Sequence, residues 1–216
     1  MAFLNTILDI VFPSKCISCN EKGSYFCKKC ILSCKVAERE AAPFIYPIFD
    51  YRNPKIKKAI WFIKYRGKKK IIETFAKILH DHINEELSEL MVMENFQKPI
   101  LIPIPLSRAR YRERGFNQSQ ILCEEIVKIN QNKYLETKND ILFKNRETEH
   151  QAHIKDRNTR LKNLSGSFEV KNHELIKGRN IILIDDVTTT GATLDEARKV
   201  LKKAGARKII AFTIAH

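Results

Sequence analysis

Glycine and proline are scarce, seven of each in 216 residues. That scarcity excludes collagen-like repeats and Pro/Gly-rich disorder. Long apolar runs are missing as well: none approaches the ~20 residues that a membrane-spanning helix needs. Acidic residues are under-represented, 25 against 39 basic ones, for a formal charge of +14. Such an imbalance calls for a polyanionic partner or an anionic small ligand. Hydrophobic residues still make up 44% of the chain, enough for one core with a small appendage.

The shortage of acids is local. Residues 51–72 hold nine basic side chains, among them Lys57, Lys58, Lys64, Arg66, Lys68, Lys69 and Lys70, and no acid. Residues 106–116 add Arg108, Arg110, Arg112 and Arg114 against Glu113 alone. Those two stretches carry +12 of the +14. Trp61, Phe62 and Tyr65 interleave with the first set, although Ile56, Ile60 and Ile63 share the same helical period and claim part of that face for the core. A solvated lysine-rich helix is one interpretation. A base-stacking, phosphate-tracking groove for single-stranded nucleic acid, using Lys57, Lys58, Lys64, Lys69 and Lys70, is the other.

The opening MAFLNTILDIVF lacks the basic n-region and small-residue cleavage site of a secretory signal. Phe3, Leu4, Ile7, Leu8 and Val11 instead fall at helical spacing. The expectation is a short amphipathic helix packed on its own protein, with membrane-surface or partner docking as the alternative, and a soluble cytoplasmic protein.

Cys16, Cys19, Cys27 and Cys30 read C-x2-C-x7-C-x2-C. Two-residue gaps turn both thiolates of a pair inward from tight loops, and two such loops complete a tetrahedral site for structural zinc. Disulfides are the competing interpretation, disfavoured in a cytoplasmic chain. Full thiolate coordination leaves no open position, so the metal serves folding rather than chemistry. Cys34 can substitute as a ligand or stay a free thiol, and Cys123 sits in an apolar helical pattern as a small hydrophobe. His150 and His153 lie in a polar stretch without a third ligand. The domain limits predicted are 1–45 for the helix and cysteine module and 46–216 for the rest, with 36–48, containing Pro43 and Pro47, as the connection.

Beyond it, patterns alternate. Helices are predicted over 54–64 and 68–90, broken at Arg66-Gly67, then over 117–130 and 193–204. Strands are predicted at 100–105, 141–143, 181–184 and 208–215. Buried apolar strands alternating with amphipathic helices indicate an α/β fold with a central parallel sheet flanked by helices.

The sharpest chemistry lies in 181–206. A four-residue apolar strand delivers Asp185 and Asp186 to its carboxyl end, where ligands of open α/β sheets bind. Val187, Thr188, Thr189, Thr190, Gly191, Ala192 and Thr193 follow. Gly191 lets backbone N–H groups close on an anion, the threonines add hydroxyl donors, and a helix N-terminus lies beyond. The nucleotide P-loop pattern is absent. Two acids before a phosphate cradle suit a sugar phosphate.

This string resembles the phosphoribosyl-pyrophosphate motif of type I phosphoribosyltransferases. FIKYRGKKK at 62–70, PIPLSRARYRERGFNQSQIL at 103–122, and Gln151, Arg160, Asn163 and Phe168 narrow the likeness to the ComF family of competence-associated proteins, which carries an N-terminal four-cysteine finger. Ile154 departs mildly from the family's usual Leu. The resemblance implies a type I phosphoribosyltransferase fold with a small N-terminal zinc-binding module. Asp185 and Asp186 would serve as the catalytic acid pair on the ribose, residues 187–193 would hold the 5′-phosphate, and Mg²⁺ would accompany the pyrophosphate. Tyr65, Arg66, Gly67 and Lys68 would form the pyrophosphate loop. Residues 108–118 would form a mobile loop bringing Arg112 and Arg114 to the leaving group. Purine-salvage relatives commonly place an Asp where Thr189 stands, and a neutral hydroxyl is a poor general base.

The function implied is binding of phosphoribosyl pyrophosphate and single-stranded DNA during natural transformation. The alternatives are a phosphoribosyltransferase of small-molecule nucleotide metabolism and a non-catalytic sensor that biases a DNA-handling protein partner.

Overall fold

A computed structural model describes residues 14–38, 42–131, 133–145 and 166–216. The N-terminal helical pattern, His150, His153, Gln151, Ile154, Arg160 and Asn163 lie outside those residues.

Five parallel strands form the central sheet: β1 (Ile45–Phe49), β2 (Ile100–Pro103), β3 (Glu136–Thr137), β6 (Ile181–Val187) and β7 (Ile209–Ala215), in the order β1-β7-β6-β2-β3. β4 (Leu142–Lys144) and β5 (Phe168–Val170) make a separate antiparallel ribbon. The alternation of strand side chains divides the core in two. Ile182, Ile184, Ile210, Phe212 and Ile214 face helices α2 (Pro54–Arg66), α3 (Lys69–Glu94) and α5 (Gln118–Ile129). Ile181, Leu183, Ile209 and Ala211 face α6 (Ala192–Lys203) through Leu194, Ala197 and Leu201. Both faces are covered, which is why β6 and β7 read as nearly continuous apolar runs.

The helices begin and end where local chemistry stops or starts them. Asn53 caps α2 by accepting from the Lys55 N–H, with Pro54 in the first turn. Gly67 ends α2 in the left-handed conformation at φ 52°. Asn117 caps α5 by accepting from the Ser119 N–H. A further short helix, α4 (Arg108–Arg114), is capped by Ser107 and closed by Gly115. The sequence predicts a mobile loop there, whereas the structure turns its first seven residues into helix.

The main differences from the sequence expectation concern β1 and β4. The prolines of 36–48 predict a connection between the modules, yet Ile45–Phe49 is an edge strand, with Pro47 opposite Thr213. A proline is tolerated at an edge because that position has one neighbour to satisfy instead of two. Residues 35–37 also join β1: the Ala37 N–H donates to the Ile48 carbonyl and the Asp50 N–H to that of Lys35. The predicted 141–143 strand leaves the main sheet to pair with β5. The acid pair lies within β6 rather than after it.

The cysteine module contains α1 (Lys28–Leu32) and a small loop in which Lys15 and Lys22 bridge antiparallel. Phe26 is buried against Phe75 of α3, with ring centres 5.8 Å apart. No helix among the described residues is long and apolar enough to cross a membrane.

Candidate functional site

The loop leaving β6 runs toward β7 over one face of the sheet, and the chain leaving β2 runs toward β3 over the other. Their divergence is a topological switch point, the crevice where open α/β sheets hold ligands. Asp185 and Asp186 stand there. Asp186 is buried, and its Oδ2 lies 3.2 Å from Lys64 Nζ. That contact is an ion pair without hydrogen-bond alignment, and Oδ2 has no hydrogen-bond partner among the described residues. Asp185 Oδ1 accepts from Ser119 Oγ at 3.1 Å and from the Asp186 N–H at 2.8 Å. Burial, reinforced by the Asp186 charge, pushes Asp185 up to about 7, against opposing pulls from the Asp186 N–H, Lys64 and Ser119. A buried carboxylate oxygen with no hydrogen bond fits a hard divalent cation or a sugar hydroxyl.

Beyond the acids, Val187–Leu194 wrap a small hollow of about 50 Å³ that opens on the N-terminus of α6. Gly191 caps the helix at φ 75°, and a Cβ there would lie 2.9 Å from Ile45 Cδ1. Thr190 Oγ1 accepts from the Ala192 N–H. This arrangement can receive a phosphate through N–H groups and hydroxyls.

A larger cleft of about 590 Å³, lined by Tyr51, Lys57, Lys58, Trp61, Lys64, Tyr65, Arg110, Glu113 and Arg114, reaches the acid pair through Lys64. The two basic stretches of the sequence meet here. Trp61 and Tyr65 are exposed. The Arg114 guanidinium lies 5.5 Å from the Tyr65 ring centre and that of Arg66 5.8 Å from Trp61. Arg112 is exposed and does not line the cleft. Lys68 turns toward the cysteine module, with Nζ 5.4 Å from the Tyr25 ring centre. Lys70 lines a groove between α3 and that module. Lys69 is exposed and lies outside the cleft lining. The predicted pyrophosphate loop and DNA set are thus divided. Tyr65, Lys57, Lys58 and Lys64 face the cleft, while Lys68 meets Tyr25 of the N-terminal module and Lys70 lines the groove beside that module.

The RGFNQS string binds these parts together. Arg114 Nη1 donates to Gln118 Oε1 at 3.0 Å. Phe116 is the side chain that a Cβ on Gly67 would meet, at 3.3 Å. Asn117 Nδ2 donates to the Ile104 carbonyl, and Ser119 reaches Asp185. Sequence reasoning missed the part played by Ser119. It also missed Lys144, whose ammonium is lowered by burial and by Arg110 while Asp185 pulls the other way. Lys144 Nζ lies 5.6 Å from the ring centre of Phe168, a residue of the quoted motif. No signal marks Lys144 in the sequence, because the β4–β5 ribbon is what carries it to the acids.

In the cysteine module, the Sγ atoms of Cys16, Cys19, Cys27 and Cys30 all lie within 4.8 Å of one another. Against burial, the N–H groups of Cys19, Cys27 and Ser18 hold Cys16 down to about 6, which favours a thiolate there. At Cys27 the Cys30 N–H pulls down, yet burial and the thiols of Cys19, Cys30 and Cys16 push it up to about 12, the mutual opposition of crowded sulfurs that a cation would relieve. Cys34 lies outside the cluster, its thiol donating to the Cys30 carbonyl. Four converging thiols, Cys16 and Cys30 buried and Cys19 exposed, fit a four-thiolate structural site.

A sheet of this order, carrying an acid pair and a threonine- and glycine-containing turn before a helix N-terminus at its switch point, defines a phosphoribosyltransferase-like protein. The family profile of the phosphoribosyl transferase domain matches residues 126–216. The chain belongs to the ComFC family. It is 34% identical over 169 residues to competence protein ComFC of Bacillus subtilis, a match covering 77% of this chain and 62% of that protein. It is 32% identical over 190 residues to competence protein ComFC of Streptococcus pneumoniae, covering 87% and 74%. DNA utilization protein YhgH of Escherichia coli O157:H7 is 32% identical over 110 residues, covering 50% and 45%. The chain therefore spans less than two thirds of the Bacillus relative's length. A hypoxanthine phosphoribosyltransferase from Staphylococcus aureus aligns at TM-score 0.35 and 14% identity, over 66% of this chain and 61% of its own. That likeness is too low to carry an argument.

Proposed function

We propose that this protein handles single-stranded DNA in competence and binds phosphoribosyl pyrophosphate with Mg²⁺ at the acid pair. One observation carries the reading: the two basic stretches converge on a single aromatic cleft whose Lys64 reaches the buried carboxylate of Asp186. The names of its relatives, competence and DNA utilization proteins, agree with it. Trp61 and Tyr65 would stack bases while Lys57, Lys58, Arg110 and Arg114 follow the phosphates. Asp185 and Asp186 would hold the ribose and Mg²⁺, and residues 187–193 the 5′-phosphate. Mg²⁺, when bound, would neutralise charge developing on a departing pyrophosphate. Zinc on the four cysteines would fix the N-terminal module against α3.

Labelled single-stranded oligonucleotide should bind at low salt and weaken steadily as salt rises. Calorimetry with phosphoribosyl pyrophosphate and Mg²⁺ should give binding that Asp185→Ala with Asp186→Ala abolishes. No oligonucleotide binding at low salt, or unchanged sugar-phosphate affinity in the double variant, refutes the respective half of the reading. A transferase acting on small molecules is the second reading, favoured by the phosphoribosyl transferase domain match. It requires pyrophosphate release when bases or amines are supplied.

A further inference from the structure

Lys64 belongs to two places at once. Its Nζ is 3.2 Å from Asp186 Oδ2, and its stem lines the basic cleft, with the side chain one-fifth exposed. Asp186 is buried, and Oδ2 has no hydrogen bond in the described structure, so the Lys64 charge is its nearest compensation. Any ligand that brings positive charge to Asp186 replaces that compensation and repels the ammonium. The lysine stem already lines the cleft, and a polyanion there offsets the repulsion from Lys57 and Lys58 that the displaced ammonium would otherwise meet.

We infer that the acid-pair site and the basic cleft are positively coupled ligand sites, with Lys64 as the shared group. A Mg²⁺–sugar phosphate at Asp185 and Asp186 releases Lys64 to a polyanion in the cleft. A polyanion that captures Lys64 leaves Asp186 buried and unpaired, which raises its demand for a cation. The two effects are one coupling free energy and must be equal. The inference rests on the function proposed above and adds its regulation: the protein grips a strand more tightly when sugar phosphate is present.

The test measures binding of a labelled single-stranded oligonucleotide to the full chain, with and without phosphoribosyl pyrophosphate. Mg²⁺ stays at one fixed concentration in every arm, so that its screening of the polyanion cancels. A parallel series uses dextran sulfate, a polyanion without bases. The expected result is tightening of about fivefold or more, matched by the same factor in sugar-phosphate affinity when the polyanion is present. Lys64→Met should bring the coupling factor to about one, whatever it does to the affinity of either ligand alone. Lys58→Met should weaken polyanion binding and keep the coupling factor.

A factor of one, mutual weakening, or coupling that persists in Lys64→Met overturns the inference. Coupled binding of dextran sulfate without any binding of the oligonucleotide upholds the inference and refutes the DNA reading. Failure of both polyanions, or of the sugar phosphate, to bind refutes both. The sign and reciprocity of the wild-type coupling need no variant, so a Lys64→Met chain that fails to fold still leaves a decisive measurement.

Discussion

Desolvation of the half-buried Asp185 carboxyl and the neighbouring Asp186 charge hold it up to about 7. In an unfolded chain the same group titrates near 4. The stability it contributes is therefore fully present below about pH 4 and is lost as pH rises through about 7. Ligand binding runs the other way, because a cation or a sugar hydroxyl prefers the ionised carboxylate. Affinity for phosphoribosyl pyrophosphate with Mg²⁺ should climb between about pH 6 and 8 and then level. Ser119→Ala removes a donor to the ionised form, so its midpoint should lie higher than that of the wild type. The ligand's own titration is common to both proteins and drops out of that comparison, and coincident calorimetric profiles would show that Ser119 does not tune Asp185. Gly191 is a second position where one residue is decisive. A side chain there must adopt the left-handed conformation and press on Ile45. Gly191→Ala should lose about 1–2 kcal/mol in urea unfolding, and an unchanged midpoint would contradict the turn geometry.

At the scale of elements, the turn between α4 and α5 joins the cleft to the acid pair. Asn117 caps α5 through the Ser119 N–H and ties the turn to the end of β2 through the Ile104 carbonyl. Asn117→Ala should cost about 1–2 kcal/mol. Asn117→Asp, which keeps the capping oxygen and loses the donor, should fall between the two in thermal unfolding. Equal stability of all three would mean that the cap does not hold the turn. The strings around these elements stand out in the sequence, but their bonds do not. RGFNQS reads as a motif, whereas the reach of Ser119 to Asp185 spans 66 positions and follows from the neighbouring placement of β2 and β6. β1 is illegible for a related reason: Pro47 argues against a strand until the sheet order puts that strand at an edge.

For the whole molecule, the cysteine module is part of the main core rather than a free appendage. Phe26, Cys30 and Cys34 are buried in the same cluster as Ile56, Phe75 and Leu79. Zinc bound by the four thiols should therefore stabilise the entire chain. A chelator strong enough to remove it should lower the temperature of one cooperative transition. Two separate transitions, or an unchanged main transition, would show the module to be independent. Phe26→Ala should weaken the same transition by about 3–5 kcal/mol without touching a cysteine.

The parallel α/β class, the metal-spaced cysteines, and the acid pair with its threonine-rich turn are all legible in the chain before it folds. Each is written in residues close together in the chain, where periodicity, spacing and backbone chemistry act directly. Only the tertiary structure could partition the cations. Lys64 and Lys68 are four residues apart on either side of Gly67, yet one meets Asp186 and the other Tyr25. The end of α2 and the start of α3 point them to opposite neighbours. The excess charge was visible in the composition, but its division between cleft and cysteine module depends on which surfaces the packed helices bring together.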